Sequence, residues 1–359
     1  MRRFKKMISI IMTFALILCL SACSSKTSNS ASAADKTDEM KEIEEKLNLA
    51  NMNASWTYDE SSDSWTMASV TAVTKPEIEN EQGVSVCVPG AYVKGIDSDG
   101  DGKEDETSGT VNGNLIIDND ASITSTNGQV YTAETAPVII NTGAAGYSEQ
   151  ENQTASSGYA SEGYINLSCG NRGKQSTLSD GVYTGDAPCC LVDQKNAVRF
   201  VKYNILLGNL PGSVDYFVST GGSGGGAHAS MLAATSNNPD FYDYEIAAGA
   251  VGVYEDSEGN YITSVTVDSK EIALSDGLWG CMAYSAITSL KEADMAMAFE
   301  YYLDPTYSFN TDFQKQMAEY LANSYMNYIN DKKLSIFQLV HETGHNFWQI
   351  FPSYFLQLI

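Results

Sequence analysis

The sequence predicts an α/β fold: a mostly parallel central sheet flanked by helices, with a helical cap inserted late in the chain. Three observations predict it. Short apolar runs with strand character alternate with a stretch of 3.6-residue period. One of those runs enters a glycine-rich turn and leaves it as a helix. After residue 278 the composition turns Ala-, Met-, Tyr- and Leu-rich with helical spacing. Strands that alternate with helices return to the same end of a sheet, which makes them parallel and buries both faces.

The first 22 residues carry Arg2, Arg3, Lys5 and Lys6 ahead of an apolar run from Met7 to Leu20. That is the pattern of a signal peptide, too short and wrongly flanked for a permanent membrane span. It ends in Leu20-Ser21-Ala22-Cys23, which resembles the bacterial lipobox. The resemblance implies acylation of Cys23, a membrane partner reached through that lipid, and a position at the cell surface facing outward. Residues 23–55 then read as a solvated tether, with a short helical stretch at 41–49. The expected core spans 56–277, the helical cap 278–332, and an atypical tail 333–359.

The chain has 21 Lys and Arg against 45 Asp and Glu, a net charge of −24 that becomes −28 once the four basic leader residues are removed. Such a surface repels phosphate backbones, which excludes a nucleic-acid partner. Beyond Cys23 five cysteines remain: Cys87, Cys169, Cys189, Cys190 and Cys281. Their number is odd and no CxxC spacing occurs, so zinc-ribbon and thioredoxin chemistry have no support, and buried thiols are the expectation.

Within the core, 84–88, 115–117, 137–141 and 164–167 read as strands, the third closed by Thr142-Gly143-Ala144-Ala145-Gly146. Residues 193–207 have helical period, with Ala197, Val198, Val201 and Ile205 apolar and charges between, and stop at Gly208 and Pro211. Residues 214–219 form a strand that runs into Gly221-Gly222-Ser223-Gly224-Gly225, and 226–234 begin a helix. Downstream, 246–253 reads as a strand and 261–267 as a hairpin arm.

A serine hydroxyl is a poor nucleophile unless a sharp turn exposes it to both a base and a bound carbonyl. Strand, G-x-S-x-G, helix is the nucleophile elbow of the α/β-hydrolases, and the flanking glycines admit its strained, close-packed backbone. Ser223 is therefore the expected nucleophile. Gly224, the next residue, offers its N–H at a helix start as one oxyanion donor, and Gly143 and Ala144 in the loop after the third strand offer the second. A phosphate loop would need GK[ST] after the glycines, and no Lys follows until Lys270. The chemistry needs a small ester substrate and no cofactor.

Residues 136–147, 163–174, 187–202 and 214–244 together resemble the bacterial subtype B tannase and feruloyl-esterase-like branch of the α/β-hydrolases. The resemblance covers about 80–335 and is most specific at "VSTGGSGGGAHASMLAATSN". It implies cleavage of phenolic-acid esters, Ser223 as nucleophile, Gly224 as oxyanion donor, and the 278–330 block as a helical insertion. In that family the acid and histidine of the triad follow the insertion, where this sequence has some 28 residues. His345 is the expected base, Asp256, Asp276 and Asp304 are unranked acid candidates, and His228 is expected to pack. The tail from 333 holds one acid, Glu342, and differs from the acidic body, as a premature or frame-shifted C-terminus would.

Two other patterns compete. His341-Glu342-Thr343-Gly344-His345 matches HExxH, two helical imidazoles for zinc with Glu342 as base, but no third ligand follows in the last 14 residues. The alternatives to a serine esterase are therefore a zinc metallopeptidase and a catalytically incomplete binding lipoprotein. Asp97, Asp99, Asp101 and Asp105 have calcium-loop spacing with Gly102 at position 6, yet position 12 is Ser108. An acidic hairpin tip is favoured there over a weak calcium site.

Overall fold

The computed structural model describes residues 36–105, 109–288 and 290–333; Cys23 and the HExxH segment lie outside these. Among the described residues no helix is long and apolar enough to cross a membrane. The chain begins with α1 (Asp38–Lys46), capped by the Thr37 side chain, which accepts from the Met40 N–H. It continues through β1 (Ser55–Asp59), β2 (Ser64–Met67), β3 (Val70–Thr71), β4 (Gly83–Pro89), β5 (Val93–Asp97), β6 (Thr110–Asn112), β7 (Asn114–Ile117), β8 (Ser122–Thr124), β9 (Val130–Thr132), β10 (Val138–Asn141) and β11 (Ile165–Cys169). Next come α2 (Cys189–Leu206), β12 (Phe217–Gly222), α3 (Gly224–Ala234) and α4 (Tyr242–Ala248). Short strands β13 (Tyr254–Glu255), β14 (Tyr261–Ile262), β15 (Ser264–Val267) and β16 (Lys270–Ala273) precede β17 (Gly280–Tyr284), α5 (Leu290–Leu303) and α6 (Asp312–Lys332).

Nine strands form the central sheet, in the order β17-β12-β10-β11-β4-β2-β1-β6 with β3 beside β4. The sheet is mixed, which corrects the mostly parallel expectation. Its β17-β12-β10-β11 half is parallel, whereas β4, β2, β1 and β6 join it antiparallel. The reason is local: β1 and β2 form a hairpin joined by four residues, too short for the crossover a parallel pair needs. Fully buried Trp56, Met67, Val84, Val86, Ile140, Ile165 and Phe217 fill the core.

Four other expectations are corrected. The described fold starts at Lys36 rather than near Trp56, because Ile43, Leu47 and Leu49 join the core and Lys36 is buried against Glu44 and Glu271. Residues 246–253 are not a strand: α4 runs to Ala248, Gly249 takes left-handed φ 72°, and the apolar remainder, Ala250 to Val253, is buried loop. Helix α2 starts at Cys189, before the expected 193. Residues 280–284 are a strand, so the sheet extends past the expected boundary at 277 and helices begin only at α5.

Helix α2 is buried along nearly its whole length, charges included. Three of its four charges meet an opposite charge, and the fourth, Lys202, donates from Nζ to the Gly277 carbonyl at 2.6 Å. Arg172 pairs with Asp193 through Nε at 3.0 Å and Nη2 at 2.9 Å, Lys195 Nζ lies 2.6 Å from Asp276, and Arg199 Nε 2.5 Å from Glu245. A buried pair gains little over apolar packing, yet removing one member strands the other in a low dielectric. Glu245→Ala, which leaves the Arg199 guanidinium buried without its carboxylate, is expected to lower the urea unfolding free energy by about 3–5 kcal/mol. An unchanged midpoint would show that the pair does not anchor α2.

Candidate functional site

The site is built at the C-terminal end of β12. Ser223 has φ 56° and ψ −122°, an angle pair that L residues rarely adopt, and its side chain is exposed. It stands immediately before α3, so the amides of the helix's first turn open beside it. Its backbone is held from both sides. The Ser223 N–H donates to the Tyr284 carbonyl at 2.9 Å, and its carbonyl accepts from Ala227 N at 3.1 Å and Ile287 N at 3.2 Å.

The glycines are there for approach. A Cβ on Gly225 would stand 2.1 Å from the Gly143 carbonyl oxygen, and one on Gly224 2.6 Å from that of Ala144. One on Gly221 would meet Gly225 O at 2.5 Å. Only glycine lets the loop after β10 lie flat on the elbow. Thr142 fastens it there: its N–H donates to Thr220 O at 2.9 Å and its hydroxyl to Gly225 O at 2.8 Å. Gly143 in turn leaves room for Gln150, whose Nε2 donates to Cys169 O at 2.9 Å.

Ser223, Gly224, Gly143 and Ala144 are thus brought together. Gly143 and Ala144, however, set their carbonyls against the elbow. The nearest loop nitrogens to Gly224 are those of Gly146 and Tyr147, each 2.9 Å from its Cβ position. Tyr147 N already donates to Ala144 O at 2.9 Å, and Gly146 is exposed. Ala144, Gly146 and Tyr147 all have positive φ, the local strain that curls the loop.

His228 packs, as expected. It is 7 % exposed, its Nδ1 lies 3.4 Å from Cys190 Sγ, and its ring is tilted against Tyr147 at 5.8 Å. Burial pushes its pKa down to about 4, so it is neutral at pH 7. His345 lies outside the described residues. Of the acid candidates, Asp276 is buried between Lys195 Nζ and Asn237 N, each at 2.6 Å. Asp256 accepts from Glu258 N and Asn260 N, and Asp304 from Thr306 N and hydroxyl, within their own turns.

The remaining expectations resolve separately. Cys87, Cys169, Cys189 and Cys190 are free and buried, and Cys281 is free and exposed. Asp97, Asp99 and Asp105 gather carboxylate oxygens within 4.8 Å, but Asp101 does not join them; it is drawn to Lys103 Nζ at 2.7 Å. Asp97 already accepts from Gly100 N and Gly102 N, and Asp105 from Ser98, which makes this a self-satisfied acidic loop. It joins β5 to β6, strands with different partners, so it is not a simple hairpin tip.

Sequence reasoning missed the Tyr284 and Ile287 backbone groups that grip Ser223, because backbone contacts leave no residue signature. It also missed the Thr142 hydroxyl and Tyr147, whose hydroxyl donates to Ile287 O at 3.0 Å.

No family model and no curated protein matches the sequence. Solved structures do. The chain is similar to the native tannin acyl hydrolase from Lactobacillus plantarum, with 21 % identity, a TM-score of 0.54, and coverage of 82 % of this chain and 57 % of that one. A tannin acyl hydrolase in complex with ethyl gallate matches at 22 % identity and TM-score 0.51, over 76 % and 52 %. Fusobacterium nucleatum tannase matches at 22 % and 0.50, over 76 % and 53 %. The likeness is one of fold, and this chain spans little more than half the length of those structures.

Because the folded His228 binds its proton only near pH 4 and an unfolded one near 6.5, the unfolded state takes up the extra proton between these values. The stability it contributes is whole above about pH 6.5 and is lost as pH falls toward about 4. His228→Phe is expected to flatten the urea midpoint's pH dependence across that window. A variant with an unchanged slope would place the titration elsewhere.

Proposed function

We propose that this chain is an exported, lipid-anchored carboxylic ester hydrolase that cleaves phenolic or small acyl esters through an acyl-enzyme on Ser223. The observation that carries the proposal is the exposed Ser223 at φ 56°, at the head of α3, with a strained loop packed on the glycines that follow it. The fold likeness to tannin acyl hydrolases, one of them bound to ethyl gallate, supports an ester as the substrate class.

In this reading Ser223 Oγ attacks the ester carbonyl carbon and gives its proton to His345. The carbonyl oxygen becomes an oxyanion that the Gly224 N–H and an amide of the 143–146 loop stabilise; such donors act at about 2.7–3.1 Å from the forming charge. As the intermediate collapses, the C–O bond breaks and the alcohol leaves with the proton from His345. Water, deprotonated by the same imidazole, then attacks the acyl carbon; the bond from that carbon to Ser223 Oγ breaks, Oγ takes the proton back from His345, and the carboxylic acid leaves. Cys23 carries the lipid that anchors the domain to the membrane at the cell surface, facing outward.

A fluorophosphonate probe is expected to label the purified full chain, and Ser223→Ala to abolish labelling while His228→Gln retains it. Equal labelling of Ser223→Ala would contradict the nucleophile. Stoichiometric zinc lost on His341→Ala, with no serine labelling, would instead support a metallopeptidase. Cells expressing Cys23→Ala are expected to lose both palmitate incorporation and membrane association of the chain; a lipid-labelled variant would end the anchor proposal.

A further inference from the structure

A strained backbone angle such as the Ser223 φ of 56° persists only where the surrounding contacts over-determine it. The Ser223 carbonyl accepts from Ala227 N within α3 and, at 3.2 Å, from Ile287 N. Ile287 belongs to neither β17 nor α5 but to the stretch between them, in which Ser285 has φ 46°. Other contacts must therefore hold it. Ala286 rests on Gly226, where a Cβ would stand 3.1 Å from the Ala286 Cα, and the Ile287 carbonyl accepts from the Tyr147 hydroxyl at 3.0 Å. Tyr147 is itself fixed in the loop after β10. Its N–H donates to Ala144 O at 2.9 Å, its carbonyl accepts from Lys174 N at 2.9 Å, and its ring lies 5.8 Å from that of His228 on α3.

These contacts close a ring. Ser223 is followed by Gly224, where a Cβ would stand 2.6 Å from Ala144 O; that oxygen accepts from Tyr147 N. The Tyr147 hydroxyl donates to Ile287 O, and Ile287 N donates back to Ser223 O. Every link is backbone except the Tyr147 side chain, which reaches from the loop after β10 to the stretch after β17. We propose that Tyr147 is a positioning residue: its hydroxyl, acting through Ile287, holds the Ser223 backbone and the loop after β10 in one fixed relation. The kinetic consequence rests on the ester hydrolysis proposed above; the coupling itself does not. When two parts of a site must act on one bound substrate, a misplacement of about 1 Å can cost about 100-fold in rate. Such a loss falls on kcat and leaves KM in place, because ground-state binding is not what the hydroxyl supplies.

Tyr147→Phe deletes the hydroxyl and keeps the ring against His228. With 4-nitrophenyl acetate and the purified full chain, kcat is expected to fall by about tenfold or more, with KM and circular dichroism unchanged. Hydrogen exchange read by mass spectrometry is expected to quicken in residues 143–147 and 285–288 together. An unchanged kcat in an active chain would overturn the proposal, as would a rise in KM alone, which would make Tyr147 a substrate contact. So would exchange that quickens only in 143–147, or in neither segment. A wild-type chain that hydrolyses no ester would contradict the esterase reading instead, and the exchange pattern would then decide the coupling.

Discussion

The elbow rests on two carbonyl groups, those of Gly143 and Ala144, lying where side chains on Gly225 and Gly224 would otherwise stand. This contact brings the loop after β10 against the start of α3, and everything chemical about the site follows from it. With the loop seated, Thr142 can bond to Gly225 O, and the amide nitrogen of Gly146 lies 2.9 Å from the Cβ position of Gly224. Any larger residue at 224 or 225 would lift the loop from the start of α3. The strain at Ser223 is tolerable because its N–H and carbonyl are both engaged, by β17 and the segment after it.

Behind the elbow stands α2, whose buried ion pairs reach α4 through Glu245, the segment before β17 through Asp276, and the loop after β11 through Arg172. These pairs tie together four elements that flank the parallel half of the sheet. The antiparallel half, built on Trp56, Trp65 and Met67, adds core volume and carries no part of the elbow. The molecule thus divides its work: one half of the sheet positions Ser223, and the other supplies burial.

Much of this was legible in the sequence, for physical reasons. The elbow was readable because a strained turn demands glycines at fixed offsets, and β4, β10, β11 and β12 because their apolar runs end at turn residues. Strand β17 was not readable. Gly280-Cys281-Met282-Ala283-Tyr284 has no β-branched residue and no alternation, and it becomes a strand through its register with β12. Residues 246–253 misled because a helix end and a buried loop are both apolar, and periodicity cannot separate such a run from a strand. On α2 charges stand between apolar positions, and their spacing alone does not say what they meet. Their partners, Asp276 and Glu245, are distant in sequence, so only the fold reveals that the face is buried.

In the proposed function Ser223 Oγ is the atom that takes the acyl group, placed there by the backbone and not by a flexible loop. The measurement closest to it is the mass of the tryptic peptide containing Ser223 after brief incubation of the chain with an activated aryl ester and acid quench. This peptide is expected to gain the acyl mass, on Ser223. An acyl group found on another residue, such as the exposed Cys281, or on none, would contradict it.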